Sequence, residues 1–176
     1  MGFYEKLLKT IDLELPDKKQ ESIEKGHEFE RYVAHIFSKD KDFSIEQMTY
    51  DYFNKTDGIK VESNLNPDLI IRFNPTGEKF AVECKYRSHT VKSDIIIDYV
   101  IKWSKPEQIK RYNEFSKTHQ IPVFVVIGLS GKPNHPGDMF CLPLEVAKYP
   151  EIFPSVLERF RRSPGEPFFW RDGTLK

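Results

Sequence analysis

The chain has 176 residues, 39% of them hydrophobic and 31% charged, with a formal net charge of zero. This is an ordinary globular composition with room for one sizeable core. It argues against a basic coat that grips nucleic acid without specificity, and two cysteines without supporting histidines exclude a disulfide framework and a structural zinc site.

No window reaches the length of a membrane span, and the first residues show no signal-peptide pattern, so a reducing, cytoplasmic location is expected. One domain is expected over 1–176, comprising an arm or short helix over 1–19, a core over 20–130 and a C-terminal extension over 131–176. The arm reads as ended by Leu15-Pro16-Asp17. Residues 20–38 predict a helix, because Ile23, Phe29, Val33, Ile36 and Phe37 recur at helical spacing. On that helix Gly26, Glu30, Val33, Ala34 and Phe37 share one arc, while Glu24, Glu28, Arg31 and His35 share another. Glu30 is therefore turned toward the protein and Glu28 toward solvent.

Residues 43–53 read as a strand, and the polar stretch 54–66, with Asp57-Gly58, as a loop or loose hairpin. A hairpin follows: a strand over 67–73, a turn at Asn74-Pro75-Thr76-Gly77, and a strand over 79–87. Residues 93–103 suit either a buried strand or the run-in to a helix. Residues 104–118 predict a helix, with Ser104 and Glu107 at capping-box spacing and Pro106 in the first turn. Residues 121–129 predict a strand buried on both faces. A short strand over 139–142 and a basic-ended helix over 150–162 follow, and the aromatics of Phe168-Phe169-Trp170 tie down the tail. This order predicts an α/β fold: a mixed central sheet flanked by helices.

Side chains alternate along the second hairpin strand. Phe80, Val82 and Cys84 form an apolar face, so Cys84 reads as core. Ala81, Glu83 and Lys85 form the other. Asp68, at the start of the preceding strand, falls near Glu83 across the hairpin. Two carboxylates converging beside a lysine suit a hard cation such as Mg²⁺, with Mn²⁺ able to substitute. The plainer alternative is a cross-strand ion pair on a solvated face.

Pro67-Asp68 followed by Glu83-Cys84-Lys85 resembles the signature of the PD-(D/E)XK nuclease superfamily, which includes restriction endonucleases, archaeal Holliday-junction resolvases and RecB-type exonuclease domains. Gly26-His27-Glu28-Phe29-Glu30 is similar to the GxxxE pattern of the first helix in resolvase-like and RecB-like members. Gln108-Ile109-Lys110-Arg111-Tyr112 is similar to the QxxxY pattern of RecB-like members. Together these motifs span residues 20–120, in the family's order. The resemblance implies a restriction-endonuclease-like core and Mg²⁺-dependent hydrolysis of phosphodiester bonds in DNA. It implies Asp68, Glu83, the backbone carbonyl of Cys84 and Glu30 around the metal, and Asp68, Glu83, Lys85 and Glu30 as the catalytic set. Gln108 and Tyr112 are expected to contact the DNA strand or orient the metal site. By the same analogy a homodimer is possible.

Lys102, Lys105, Lys110, Arg111 and Lys117 cluster on and before the QxxxY helix, and Arg87 and Lys92 extend this basic zone. Of these, Lys110, Arg111 and Arg87 are expected to meet phosphates. Arg159, Arg161 and Arg162 read as a solvated helix face. Tyr86, Trp103 and Tyr112 would stack on bases only if exposed. The five histidines show no ligand spacing. A catalytically inactive nuclease fold that binds nucleic acid or a partner protein is the alternative function.

Overall fold

The computed structural model describes residues 3–49, 66–93, 95 and 97–176, with the side chains of its first helix described from Lys18 onward. The loop expected over 54–66 and the end of the strand expected over 43–53 lie largely outside the described residues.

One helix, α1, runs Phe3–Ser38, so the chain does not break at Pro16. Strands β1 (Phe43–Met48), β2 (Leu69–Phe73) and β3 (Lys79–Arg87) form an antiparallel meander. The β2–β3 turn is closed by the Gly77 N–H on the Phe73 carbonyl at 2.8 Å, and Gly77 takes the positive φ (76°) that the turn requires. Next come β4 (Val91–Lys92) and β5 (Tyr99–Lys102), then helix α2 (Pro106–His119). Strands β6 (Val123–Lys132) and β7 (His135–Pro143) follow, then β8 (Glu151–Ile152), the short helix α3 (Pro154–Leu157), β9 (Arg161–Arg162), β10 (Trp170–Arg171) and β11 (Thr174–Leu175).

The main sheet has the order β1-β2-β3-β6-β7-β9. Its β3–β6 pair is parallel and the others are antiparallel, as a crossover through α2 requires. The fold is thus the mixed sheet flanked by helices that the element order predicts. Strand β6 is apolar on both sides because each side faces a core. Phe124 and Val126 join α1, Phe80, Val82 and Cys84 in one core. Val123, Val125 and Ile127 join Ala81, Trp103 and the α2 residues Ile109, Tyr112 and Phe115 in the other. The tail is tied down as expected: Phe168 stacks on Phe37 at 4.1 Å and Trp170 on Phe80 at 4.5 Å between ring centroids. Helix α1 seats closely on the sheet at Gly128, where a Cβ would lie 2.5 Å from the Phe29 ring.

Two local expectations are corrected. Helix α2 begins at Pro106 with Lys105 as its N-cap residue, and Gln108, not Glu107, reaches back: its Oε1 accepts from the Lys105 N–H (3.2 Å) and the Ser104 hydroxyl (3.1 Å). The helix expected over 150–162 shrinks to α3 and a 3₁₀ turn over Glu158–Phe160. Pro154 keeps Phe153 extended, and Arg161–Arg162 pair with the edge of β7 instead of continuing a helix.

Candidate active site

The last β2–β3 rung pairs Leu69 with Val82, so one step further sets Asp68 opposite Glu83. Asp68 is half-buried and fixed from both sides. Its Oδ2 accepts the Cys84 N–H at 2.7 Å, and its carbonyl accepts the Thr49 N–H at 2.8 Å. The N–H and C=O of one strand residue point to the same edge, so the Cys84 carbonyl also faces the Asp68 side, beyond the last rung. The Cys84 side chain lies in the α1 core, as its place on β3 predicts.

Glu83 is 2% exposed and is the buried charged residue of the described core. Such a group survives burial only if its oxygens find partners. Its Oε1 has two: the Tyr112 hydroxyl donates at 2.6 Å, and the Lys85 ammonium lies against it. Its Oε2 is buried and meets no hydrogen-bond donor among the described residues. Helix α2 carries Tyr112 into place, with its ring stacked on the fully buried Trp103 at 6.3 Å.

Glu30 comes from α1. Its Oε2 sits 3.2 Å from His27 Nδ1, and its side chain is 15% exposed. It is near enough to Glu83 and Lys85 for each to shift its ionisation. The histidine had no role by ligand spacing, but a helix places residues three apart side by side, and that offset from Glu30 is the signal that marks it.

The site holds more negative than positive charge. Burial first, then the neighbouring Glu83, pushes the Asp68 carboxyl well above its ordinary 3.8. Burial also raises Glu30 above its ordinary 4.5, partly offset by His27. Burial alone would push the Lys85 ammonium down, but Glu83 and Asp68 together outweigh it, and its pKa is raised. An acid with a raised folded-state pKa holds its proton to higher pH than in the unfolded chain. Stability is therefore lost as pH rises from the ordinary values through the folded ones. Thermal unfolding in EDTA from pH 4.5 to 8 is expected to show a falling contribution from this cluster, smaller in Asp68→Asn. Equal pH dependence in the two proteins would remove Asp68 as its source.

The donor set fits a hard divalent cation. Among the described residues two carboxylates and a carbonyl converge, one buried carboxylate oxygen has no donor, and the acids outnumber the Lys85 ammonium. Among the described residues no three His, Cys, Asp or Glu side chains stand together as a ready-made metal cluster. Mg²⁺ does not need one, since it commonly takes one or two protein carboxylates and keeps several waters.

The remaining candidates lie elsewhere. Arg87 uses its guanidinium on the carbonyls of Lys102 (2.6 Å), Tyr86 (2.8 Å) and Trp103 (2.7 Å), clamping β3 to β5. Lys110 is exposed and 3.9 Å from Glu114, and Arg111 is half-buried. Gln108 spends its amide oxygen at the start of α2. Tyr86, Trp103 and Tyr112 are 9%, 0% and 3% exposed, so none offers a ring face to a base. Arg161 pairs with Asp138 and Glu158, and Arg162 packs 3.6 Å over the Phe168 ring.

No protein-family model matches the sequence, and no curated protein matches it significantly. Among solved structures, the fold is similar to that of Hjc, a Holliday junction resolvase from the archaeal hyperthermophile Archaeoglobus fulgidus. The TM-score is 0.50 at 15% identity, covering 77% of this chain and 93% of that one. The fold is restriction-endonuclease-like. No helix among the described residues is long and apolar enough to cross a membrane.

Proposed function

We propose that this chain is a metal-dependent deoxyribonuclease of the PD-(D/E)XK type. The observation that carries this reading is the meeting of Asp68, Glu83 and Lys85 at one end of β3, with one Glu83 oxygen buried and without a donor among the described residues. The likeness of the fold to a Holliday junction resolvase supports DNA as the substrate.

In this reading Asp68, Glu83 and the Cys84 carbonyl hold Mg²⁺, with Mn²⁺ as a substitute, and Glu30 supports the ion or its water from α1. The ion would supply a water of lowered pKa and offset charge on a phosphate oxygen. Lys85, held beside Glu83, orients that water and donates to the oxygen on which charge develops. The raised pKa of Lys85 keeps it a cation, suited to donating rather than to acting as a base. Arg111 and Lys110, on the helix that carries Tyr112, are proposed to meet backbone phosphates, and Arg87 does so only through donors left over from its three carbonyls. Residues 1–176 act as one nuclease domain, working in a reducing compartment that keeps the buried Cys84 and Cys141 as thiols.

The alternative, a catalytically inactive module, differs in a measurable way. Incubating duplex and branched DNA with the protein should give cleavage products with Mg²⁺ or Mn²⁺ and none in EDTA. DNA binding without cleavage, together with a melting temperature indifferent to both ions, would favour the inactive module.

A further inference from the structure

We infer that the cleft between the end of β7, the 3₁₀ turn over Glu158–Phe160 and the hairpin β10–β11 is a binding site for a phosphate group, separate from the candidate active site. The cleft has a volume of about 370 Å³, and Cys141, Thr174 and four cations, Arg159, Arg161, Arg162 and Lys176, line it. No acidic side chain among the described residues is in its wall.

The chain builds this cleft where the sheet runs out. Strand β9 pairs with β7 at Met139 and Phe140 and goes no further along that edge. The 3₁₀ turn before β9 carries Arg159. The hairpin β10–β11 forms the other wall, where Cys141 Sγ donates to the Leu175 carbonyl at 3.7 Å. Arg161 and Arg162 are neighbours on β9 and leave it on opposite faces, Arg161 over the Phe140 ring and Arg162 over the Phe168 ring.

The charge of this wall is only partly spent. Arg161 is paired with Asp138 and Glu158. Arg159 and Lys176 are exposed and form no ion pair among the described residues. Arg162 gives Nη2 to the carbonyls of Glu166 and Pro167, but its Nε and Nη1 are buried and meet no acceptor among the described residues. Burial lowers its pKa, as for a cation whose water is not fully replaced. Buried donors in folded proteins are nearly all paired, so this edge of Arg162 calls for an acceptor. A guanidinium edge matches the paired oxygens of a phosphate, and charge-assisted bonds of this kind are the strong ones.

The phosphate is either a free one or one of a DNA backbone. Lys85, Ile127, Phe140 and Arg161 stand on one rung across the sheet. Three strand spacings, about 14 Å, separate the first from the last, which is about four nucleotides along a duplex strand. Only this second source rests on the nuclease reading.

Binding is measured by thermal unfolding of the full chain in EDTA, with inorganic phosphate replacing sodium chloride at constant ionic strength. A saturable rise in melting temperature is expected for the wild type. Arg159→Glu and Arg162→Lys are each expected to weaken phosphate binding by about tenfold or more. Arg159 is exposed, so its replacement leaves the fold intact, while Arg162→Lys keeps the charge and loses the fork. Lys148→Glu makes the same change of charge as Arg159→Glu outside the cleft and should bind as wild type does. Titration of duplex DNA in EDTA then identifies the source. A salt dependence shallower by about one in Arg159→Glu assigns the cleft to a backbone phosphate, and an unchanged one assigns it to a free phosphate. No rise with phosphate, or equal binding in wild type, Arg159→Glu and Arg162→Lys, overturns the inference. Neither metal nor cleavage enters the measurement, so a chain that binds phosphate here and cuts no DNA loses the nuclease reading alone.

Discussion

Lys85→Ala and Asp68→Ala are each expected to lower Mg²⁺-dependent DNA cleavage by about 100- to 1,000-fold or more, the scale on which a lost transition-state donor or metal ligand is felt. Single-turnover cleavage of an end-labelled duplex measures it. The two losses differ in kind. Lys85→Ala removes a donor but leaves both carboxylates, so Mn²⁺ should still bind, and more tightly, because the competing ammonium on Glu83 Oε1 is gone. Asp68→Ala removes a carboxylate held in place by the Cys84 N–H, so both Mn²⁺ binding and cleavage should fall. Lys110→Ala is the control: the side chain is exposed and beside Glu114, and its removal should change the rate less than about tenfold at moderate salt. Lys85→Ala also leaves the acids of the site without their ammonium, so its fold is checked by thermal unfolding at pH 5, where the raised carboxyls are most protonated. A folded Lys85→Ala protein that cuts as fast as wild type would end the assignment.

The residues that converge here were legible because each rests on a local rule. Alternation along β3 separates Cys84 from Glu83 and Lys85, and it holds because each face of the strand meets its own core. The turn residues Asn74 to Gly77 fix the hairpin register, and the register sets Asp68 opposite Glu83. Helical periodicity turns Glu30 inward beside Phe29, which packs on Gly128. What was not legible depends on where separate elements land. Nothing local says that Arg87 closes on the carbonyls of a later strand, or that Arg161 and Arg162 leave a helical pattern to pair with β7. The length of α1 is a similar case, since Pro16 reads as a stop in isolation yet lies within the helix. Which way Tyr112 points belongs to this second class. Its spacing from Gln108 defines a shared helix face, but only the docking of α2 shows that this face meets a carboxylate.

That docking is the ground on which the second of the two roles expected of Tyr112, orienting the metal site, is proposed. At 3% exposure its ring has no surface to offer a nucleotide, while its hydroxyl spends its proton on a buried anion. A hydrogen bond to a charged group contributes about 1.5–3 kcal/mol, and loss of a group that orients a metal ligand typically weakens metal binding 10- to 100-fold. Tyr112→Phe, which keeps the packing on Trp103, is therefore expected to weaken Mn²⁺ binding by about tenfold or more, read by calorimetry on the DNA-free protein. The lower figure is the better guide because Lys85 still holds the same Glu83 oxygen. DNA affinity in EDTA should be unchanged. Gln108→Ala should act differently, costing about 1 kcal/mol of stability through the start of α2 and touching Mn²⁺ affinity only weakly. The opposite pattern, with Mn²⁺ affinity intact in Tyr112→Phe and metal-free DNA binding reduced, would mean that the tyrosine leaves its core to meet the strand. The hydrogen bond to Glu83 would then be a resting contact with no part in building the site.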